Sequence, residues 1–126
     1  EIYGNDWETN PKVRKFHKGY IAHGADLASL YRTTKYALVT HPFEINSQRL
    51  AEVCASGCIP IVYDCTHSSY EPHWRDELTF YKTKAELKDC LERQRGRPAP
   101  KIGEYFSYVN FAKKIIDQVR SHSELL

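Results

Sequence analysis

Two near-continuous apolar runs, Tyr36-Ala37-Leu38-Val39-Thr40 and Ile59-Pro60-Ile61-Val62-Tyr63, constrain this chain more than any other feature. Runs that do not alternate apolar with polar residues mark strands buried on both faces, and such strands belong to parallel sheets covered by helices. Pro42 ends the first run, and Pro60 lies near the start of the second, where a missing N–H is tolerated. Between them Ser47–Ser56 reads as a helix, closed by Gly57, the residue favoured just past a helix end.

Strand, helix and strand in that order imply parallel pairing through a right-handed crossover. The pattern predicts an α/β fold, Rossmann-like, with three α/β/α layers and a mainly parallel sheet of at least four strands. Both apolar runs are expected in the interior of that sheet. Leu78-Thr79-Phe80-Tyr81 reads as a further short strand and Gly19-Tyr20-Ile21-Ala22 as a short apolar run. Thr83-Lys84-Ala85-Glu86 has the spacing of a capping box, opening a helix that runs to about Arg93. Asp26–Thr33 and the segment after Gly103 also have helical spacing, whereas Gln94–Gly103, rich in Gly, Pro and Arg, reads as a flexible connector. In such sheets ligands bind beyond the carboxyl ends of the strands, which directs attention to the loops after Ala22, Thr40 and Tyr63.

Size and charge narrow the function classes. A chain of 126 residues is one domain's worth and is long enough to bury a core. A net charge of +2 gives no footprint for nucleic acid. No apolar run approaches the ~20 residues of a membrane span, and the first residues lack the pattern of a signal peptide. Cys54, Cys58, Cys65 and Cys90 are expected to be buried free thiols. The six histidines are scattered rather than paired, so no metal is expected. These features favour a cytoplasmic protein.

The loop after Thr40 runs straight into the helix: His41-Pro42-Phe43-Glu44-Ile45-Asn46-Ser47-Gln48-Arg49-Leu50-Ala51-Glu52. Asn46 and Ser47 are both good N-cap residues, and free amides at a helix start attract phosphate oxygens. Arg49 adds a planar fork of donors suited to phosphate. At 100° per residue Leu50, Val53 and Cys54 share the core face, while Gln48 and Glu52 fall opposite, with Arg49 at the edge. A carboxylate at Glu52 can accept two hydrogen bonds from a vicinal diol such as a ribose. Glu44, at the mouth of the cleft, can receive hydroxyls of a sugar. Taken singly, each glutamate reads more readily as a solvated carboxylate and each cap as plain capping.

As a set the residues resemble a known signature. Glu44 and Glu52 are spaced E-x7-E, followed in register by Ala55-Ser56-Gly57 and Pro60-Ile61-Val62. This is similar to the donor-site motif of retaining GT-B glycosyltransferases, the group 1 or GT4-like families. Gly19-Tyr20-Ile21 with Asp26-Leu27-Ala28-Ser29-Leu30-Tyr31, and Phe106-Ser107-Tyr108, resemble flanking elements of those families. The resemblance covers the chain from about Ile2 to Val119. It departs at Ser47, where many members have glycine, and at Ser68-Ser69, which replace a glycine pair.

The resemblance implies the C-terminal, nucleotide-sugar-binding half of a GT-B enzyme. Glu44 would contact the donor sugar and serve catalysis, and Glu52 would hold the nucleotide ribose. Asn46, Ser47, Gln48 and Arg49 would hold the diphosphate, and Gly19, Tyr20 and Ile21 would lie by the base. Transfer would be metal-independent, with no cofactor beyond the nucleotide-sugar substrate. The partners implied are that donor, an acceptor of unknown identity and an N-terminal GT-B domain of the same chain. A membrane surface is an additional option for the full-length protein. The first strand and basic motif of the donor domain precede Glu1 in this reading, and residues 1–126 alone are expected not to transfer sugar. Two other readings stand beside it: a nucleotide-sugar epimerase-like GT-B enzyme and a non-catalytic α/β interaction module.

Overall fold

A computed structural model describes residues 2–3, 6–40, 48–65 and 74–124. Two 3₁₀ turns, Trp7–Thr9 and Arg14–Phe16, lead into α1 (Ala25–Thr33), β1 (Tyr36–Val39), α2 (Gln48–Ala55) and β2 (Ile59–Tyr63). The short helix α3 (Trp74–Glu77), β3 (Thr79–Tyr81), α4 (Lys84–Glu92), α5 (Pro100–Tyr105) and α6 (Tyr108–Glu124) complete the order.

The three strands form one parallel sheet in the order β1-β2-β3. Tyr36 pairs with Ile59 and Val39 with Val62, and Ile61–Tyr63 then pairs with Thr79–Tyr81. Helices flank the sheet, so the fold is the α/β/α arrangement expected from the apolar runs. β2 is its centre: Pro60, Ile61 and Val62 are all buried, as the unbroken run requires. α2 packs on β1 and β2 and contributes Leu50, Val53 and Cys54 to the buried set. The largest cluster joins Val39, Leu50, Cys54 and Val62 to Cys65, Trp74, Leu78, Ala99 and Ile102. Trp74 meets Tyr105 and Phe106 edge-on, with ring centroids 5.2 and 5.1 Å away, in the geometry that aromatic quadrupoles favour. All four cysteines are free and buried.

Local signals explain the element ends. Gly57 follows α2 at φ +79°, a left-handed conformation that glycine takes without a Cβ penalty. Thr83 accepts from the Glu86 amide at 3.1 Å, and the Glu86 carboxylate accepts from the Thr83 amide at 3.2 Å, closing the capping box. α5 and α6 are separate because Ser107 starts a new helix, its hydroxyl accepting from the Asn110 amide at 3.1 Å.

Three expectations are corrected: the strand number, the place of β1 and the flexibility of Gln94–Gly103. Among the described residues the sheet has three strands rather than four, and β1 takes an edge instead of the interior. Leu38 is 40% exposed there, where β1 has a strand neighbour on one side only among the described residues. Gly19–Ala22 forms no strand: Gly19 has φ +102° and Tyr20 is 64% exposed. The short pairing in that region is instead between Ile2 and His17, through Ile2 N–H to the Phe16 carbonyl and Lys18 N–H to the Ile2 carbonyl, both 2.8 Å. Gln94–Gly103 is not a flexible connector. It straps the sheet, with Arg97 donating to the Asp76 carbonyl at 2.8 Å and Ala99 fully buried.

Candidate functional site

The site is built around α2. Its core face buries Leu50, Val53 and Cys54, and this anchoring turns Glu52 outward, where its side chain is 28% exposed. One turn earlier Gln48 donates from Nε2 to Glu52 Oε1 at 2.8 Å. From outside the helix, His23 Nδ1 approaches the same oxygen at 3.2 Å. Ser56 closes the helix end by donating its hydroxyl to the Glu52 carbonyl at 2.7 Å. The contacts of the Glu52 side chain among the described residues therefore gather on Oε1.

Glu52 lines three adjoining depressions. A cleft of about 250 Å³ brings it together with Arg49, Tyr20, Ile21, His23 and Tyr31. Beyond it, a hollow of about 270 Å³ lies between α1 and α2, against Leu27, Ala28, Tyr31, Ala55 and Ser56. On the other side a groove of about 490 Å³ separates α2 from α5 and the start of α6, lined by Gln48, Ala51, Gly103 and Phe106 among others. Tyr31, on α1, lines the cleft with the charged residues of α2. Burial raises its phenol above the usual value, Arg49 partly offsets that, and Glu52 and Cys58 add to it. Arg49 and Glu52 thus act electrostatically on one wall of the cleft, from opposite signs.

Beside this groove α5 comes very close to α2. A Cβ at Gly103 would stand 2.8 Å from the Ala55 nitrogen and 2.9 Å from its Cα, so only glycine allows the two backbones to approach this far.

Of the residues read as a site from sequence, the fold brings Tyr20, Ile21, Arg49 and Glu52 into one cleft, with Gln48 holding Glu52 from beside it. Gly19 is next to this cleft in sequence but does not line it. Glu44, Asn46 and Ser47 lie outside the described residues. His23 and Tyr31 are the residues that sequence reasoning missed. His23 follows directly on the Gly19–Ala22 run whose trailing loop was singled out, and that position was the available signal. Among the described residues there is no cluster of three or more His, Cys, Asp or Glu side chains that could hold a metal ion. No helix among them is long and apolar enough to cross a membrane.

The cleft can receive a polar ligand that carries both hydroxyls and negative charge: a carboxylate as acceptor, a guanidinium as donor, and tyrosine and isoleucine beside them. A family model described as glycosyl transferase-like matches residues 1–104. The chain belongs to that family. The match takes in α1 to α4 and all but the last residue of α5, hence every residue lining the cleft, and it stops before α6. This glycosyl transferase-like chain is also 28% identical over 74 residues to a protein named Probable glycosyltransferase in Arabidopsis thaliana. That alignment covers 59% of the present chain and 14% of the relative, so the chain spans a small part of the relative's length. No solved structure matches the chain significantly.

Proposed function

We propose that this chain is the donor-binding part of a metal-independent GT-B glycosyltransferase of the retaining, GT4-like type, and that its cleft holds a nucleoside diphosphate sugar. The observation that carries the reading is the meeting of Glu52, Arg49, Tyr20 and Ile21 in one cleft, from segments nearly thirty residues apart in sequence. Family membership and the glycosyltransferase relative favour transfer over epimerisation or a purely structural role.

In this reading Glu52 accepts hydrogen bonds from the ribose diol, and Tyr20 and Ile21 border the base, with Gly19 supplying the turn beside them. Arg49 faces the diphosphate together with Gln48, Asn46 and Ser47 at the helix start. Departure of the nucleoside diphosphate requires positive charge at the leaving oxygens, and basic side chains provide it without a metal. Arg49 is this chain's contribution to that charge. Glu44 contacts the sugar and positions it for reaction. The acceptor and the remainder of the catalytic cleft belong to the rest of the full-length protein, including an N-terminal GT-B domain.

The test is calorimetric titration of nucleoside diphosphates into the full-length protein and its Glu52→Ala variant. Loss of a charged hydrogen-bond acceptor costs about 1.5–3 kcal/mol, so affinity should fall by about ten- to a hundredfold, with the melting temperature unchanged. Equal affinity in the two proteins would remove Glu52 from the site.

A further inference from the structure

His23 belongs to no part of the signature that marks the site, yet it makes the long-range side-chain contact on Glu52: Nδ1 to Oε1, 3.2 Å, across 29 residues of sequence. The backbone brings it there by a turn. His23 and Gly24 form the turn that opens α1, and Gly24 takes φ +125°, a conformation that residues with a Cβ rarely adopt. The imidazole is thereby set at the rim of the 250 Å³ cleft, with Tyr20 and Ile21 before it in the chain and Arg49 and Glu52 facing it from α2.

The arithmetic of the carboxylate gives this contact a purpose. An ionised carboxylate has about four acceptor positions, two on each oxygen. Gln48 Nε2 at 2.8 Å and His23 Nδ1 at 3.2 Å take up the two on Oε1. Oε2, which meets no donor among the described residues, keeps two, and a vicinal diol offers two O–H donors. Gln48 alone, on the same helix, leaves the carboxylate free to rotate about its terminal bond, a broad and soft torsion. A second donor arriving from α1's side fixes the plane. Neutral imidazole supplies that donor when Nδ1 carries its proton, the tautomer that a facing carboxylate favours.

We infer that His23 is a positioning residue that clamps one oxygen of Glu52 so that the other is presented to the diol of a ribose, making the site selective for ribonucleotides over deoxyribonucleotides. This rests on the nucleotide-binding reading above and adds to it the sugar of the nucleotide and a residue that selects it. His23 does not itself touch the ligand in this arrangement.

The experiment compares uridine, guanosine and adenosine diphosphates with their 2′-deoxy counterparts in the full-length protein, by calorimetry at pH 7.5. The variants are His23→Ala, His23→Asn and Glu52→Ala, with thermal melts of each. Asparagine is the conservative variant because its amide nitrogen can stand where Nδ1 stands. The wild type should prefer the ribose form of the bound nucleotide by about tenfold, the discrimination expected of one hydrogen bond to a charged group. His23→Ala should lose about three- to fivefold in affinity for the ribose form, a size set by an exposed pair. It should cost the deoxy form, which keeps only the 3′ hydroxyl, clearly less, so that the preference shrinks. His23→Asn should restore it, and all melts should agree, since the imidazole is largely exposed. Full discrimination in His23→Ala would overturn the inference, as would an equal loss for both sugars or a failure of asparagine to rescue. Unaltered affinity in Glu52→Ala would overturn the underlying nucleotide reading instead, which keeps the two failures distinct.

Discussion

Replacing Gly103 by alanine tests the packing that shapes the groove beside Glu52. The added Cβ would lie 2.8 Å from the Ala55 nitrogen, 2.9 Å from its Cα and 3.1 Å from the Cys54 carbonyl carbon. Carbon atoms in comfortable contact stand about 3.5 Å or more apart, so α5 must retreat by roughly 0.6 Å or more. All three neighbours are backbone atoms of α2, and no rotamer change relieves the clash. Overpacking of this kind costs about 1–3 kcal/mol. Alanine recovers about 1 kcal/mol at most through its higher helix propensity. The net loss is then about 1 kcal/mol and at most about 2, or a fall in melting temperature of up to about 10 °C for a domain of this size. Urea unfolding followed by circular dichroism measures it, with Glu104→Ala in the same helix as a control expected to stay within about 0.5 kcal/mol. A Gly103→Ala protein as stable as the wild type, or more stable, would mean that propensity outweighs packing here and that α5 is not held against the α2 backbone.

Three further outcomes are expected, the first from the proposed function and the other two from the structure. Glu44→Ala in the full-length protein should leave nucleoside diphosphate affinity within about twofold while lowering turnover by about ten- to a hundredfold, a kcat effect that steady-state kinetics with a saturating donor will read. Thr83→Ala removes a capping box closed on both sides and should cost about 1 kcal/mol in urea unfolding. The Cys54 thiol is pushed up to about 12 by burial, with Cys58 adding to it. Its folded pKa lies above the unfolded value of 9.0. The stability that this group contributes is therefore complete below pH 9 and is lost as pH rises from there toward 12, and iodoacetamide at pH 8 should spare Cys54 until the chain is unfolded.

What the sequence disclosed and what it hid follow from the same physics. β1 and β2 were legible because unbroken apolar runs have few other uses in a chain this short. The inward face of α2 was legible because helix periodicity is a local property, and Thr83-x-x-Glu86 because a cap is made by neighbours in sequence. The strap from Gln94 to Gly103 was hidden. Its glycines and prolines are the usual residues of loose loops, but Gly96 is there because a Cβ would meet Ile59 at 2.9 Å and Thr79 at 3.0 Å, neighbours supplied by remote parts of the chain. The edge position of β1 was equally hidden, since a strand's sequence records its burial better than its neighbours. At the site, the grouping of Arg49 with Glu52 could be read from one helix. His23 could not, because its partner is 29 residues away and histidine alone signals nothing.

Helix α2 has no idle positions. Leu50, Val53 and Cys54 fill the core, while Gln48, Arg49, Ala51, Glu52 and Ala55 line one or another of the depressions. All eight of its residues answer to something outside the helix, three to the core and five to the depressions. Neutral drift has little room in such a segment. As related chains diverge, residues 48–55 should change more slowly than α4 or α6, whose outer faces meet only solvent among the described residues. If the proposed nucleotide site is the reason for 48, 49 and 52, a lineage that gives up nucleotide binding should show relaxed variation there first, with 50, 53 and 54 still held by the core.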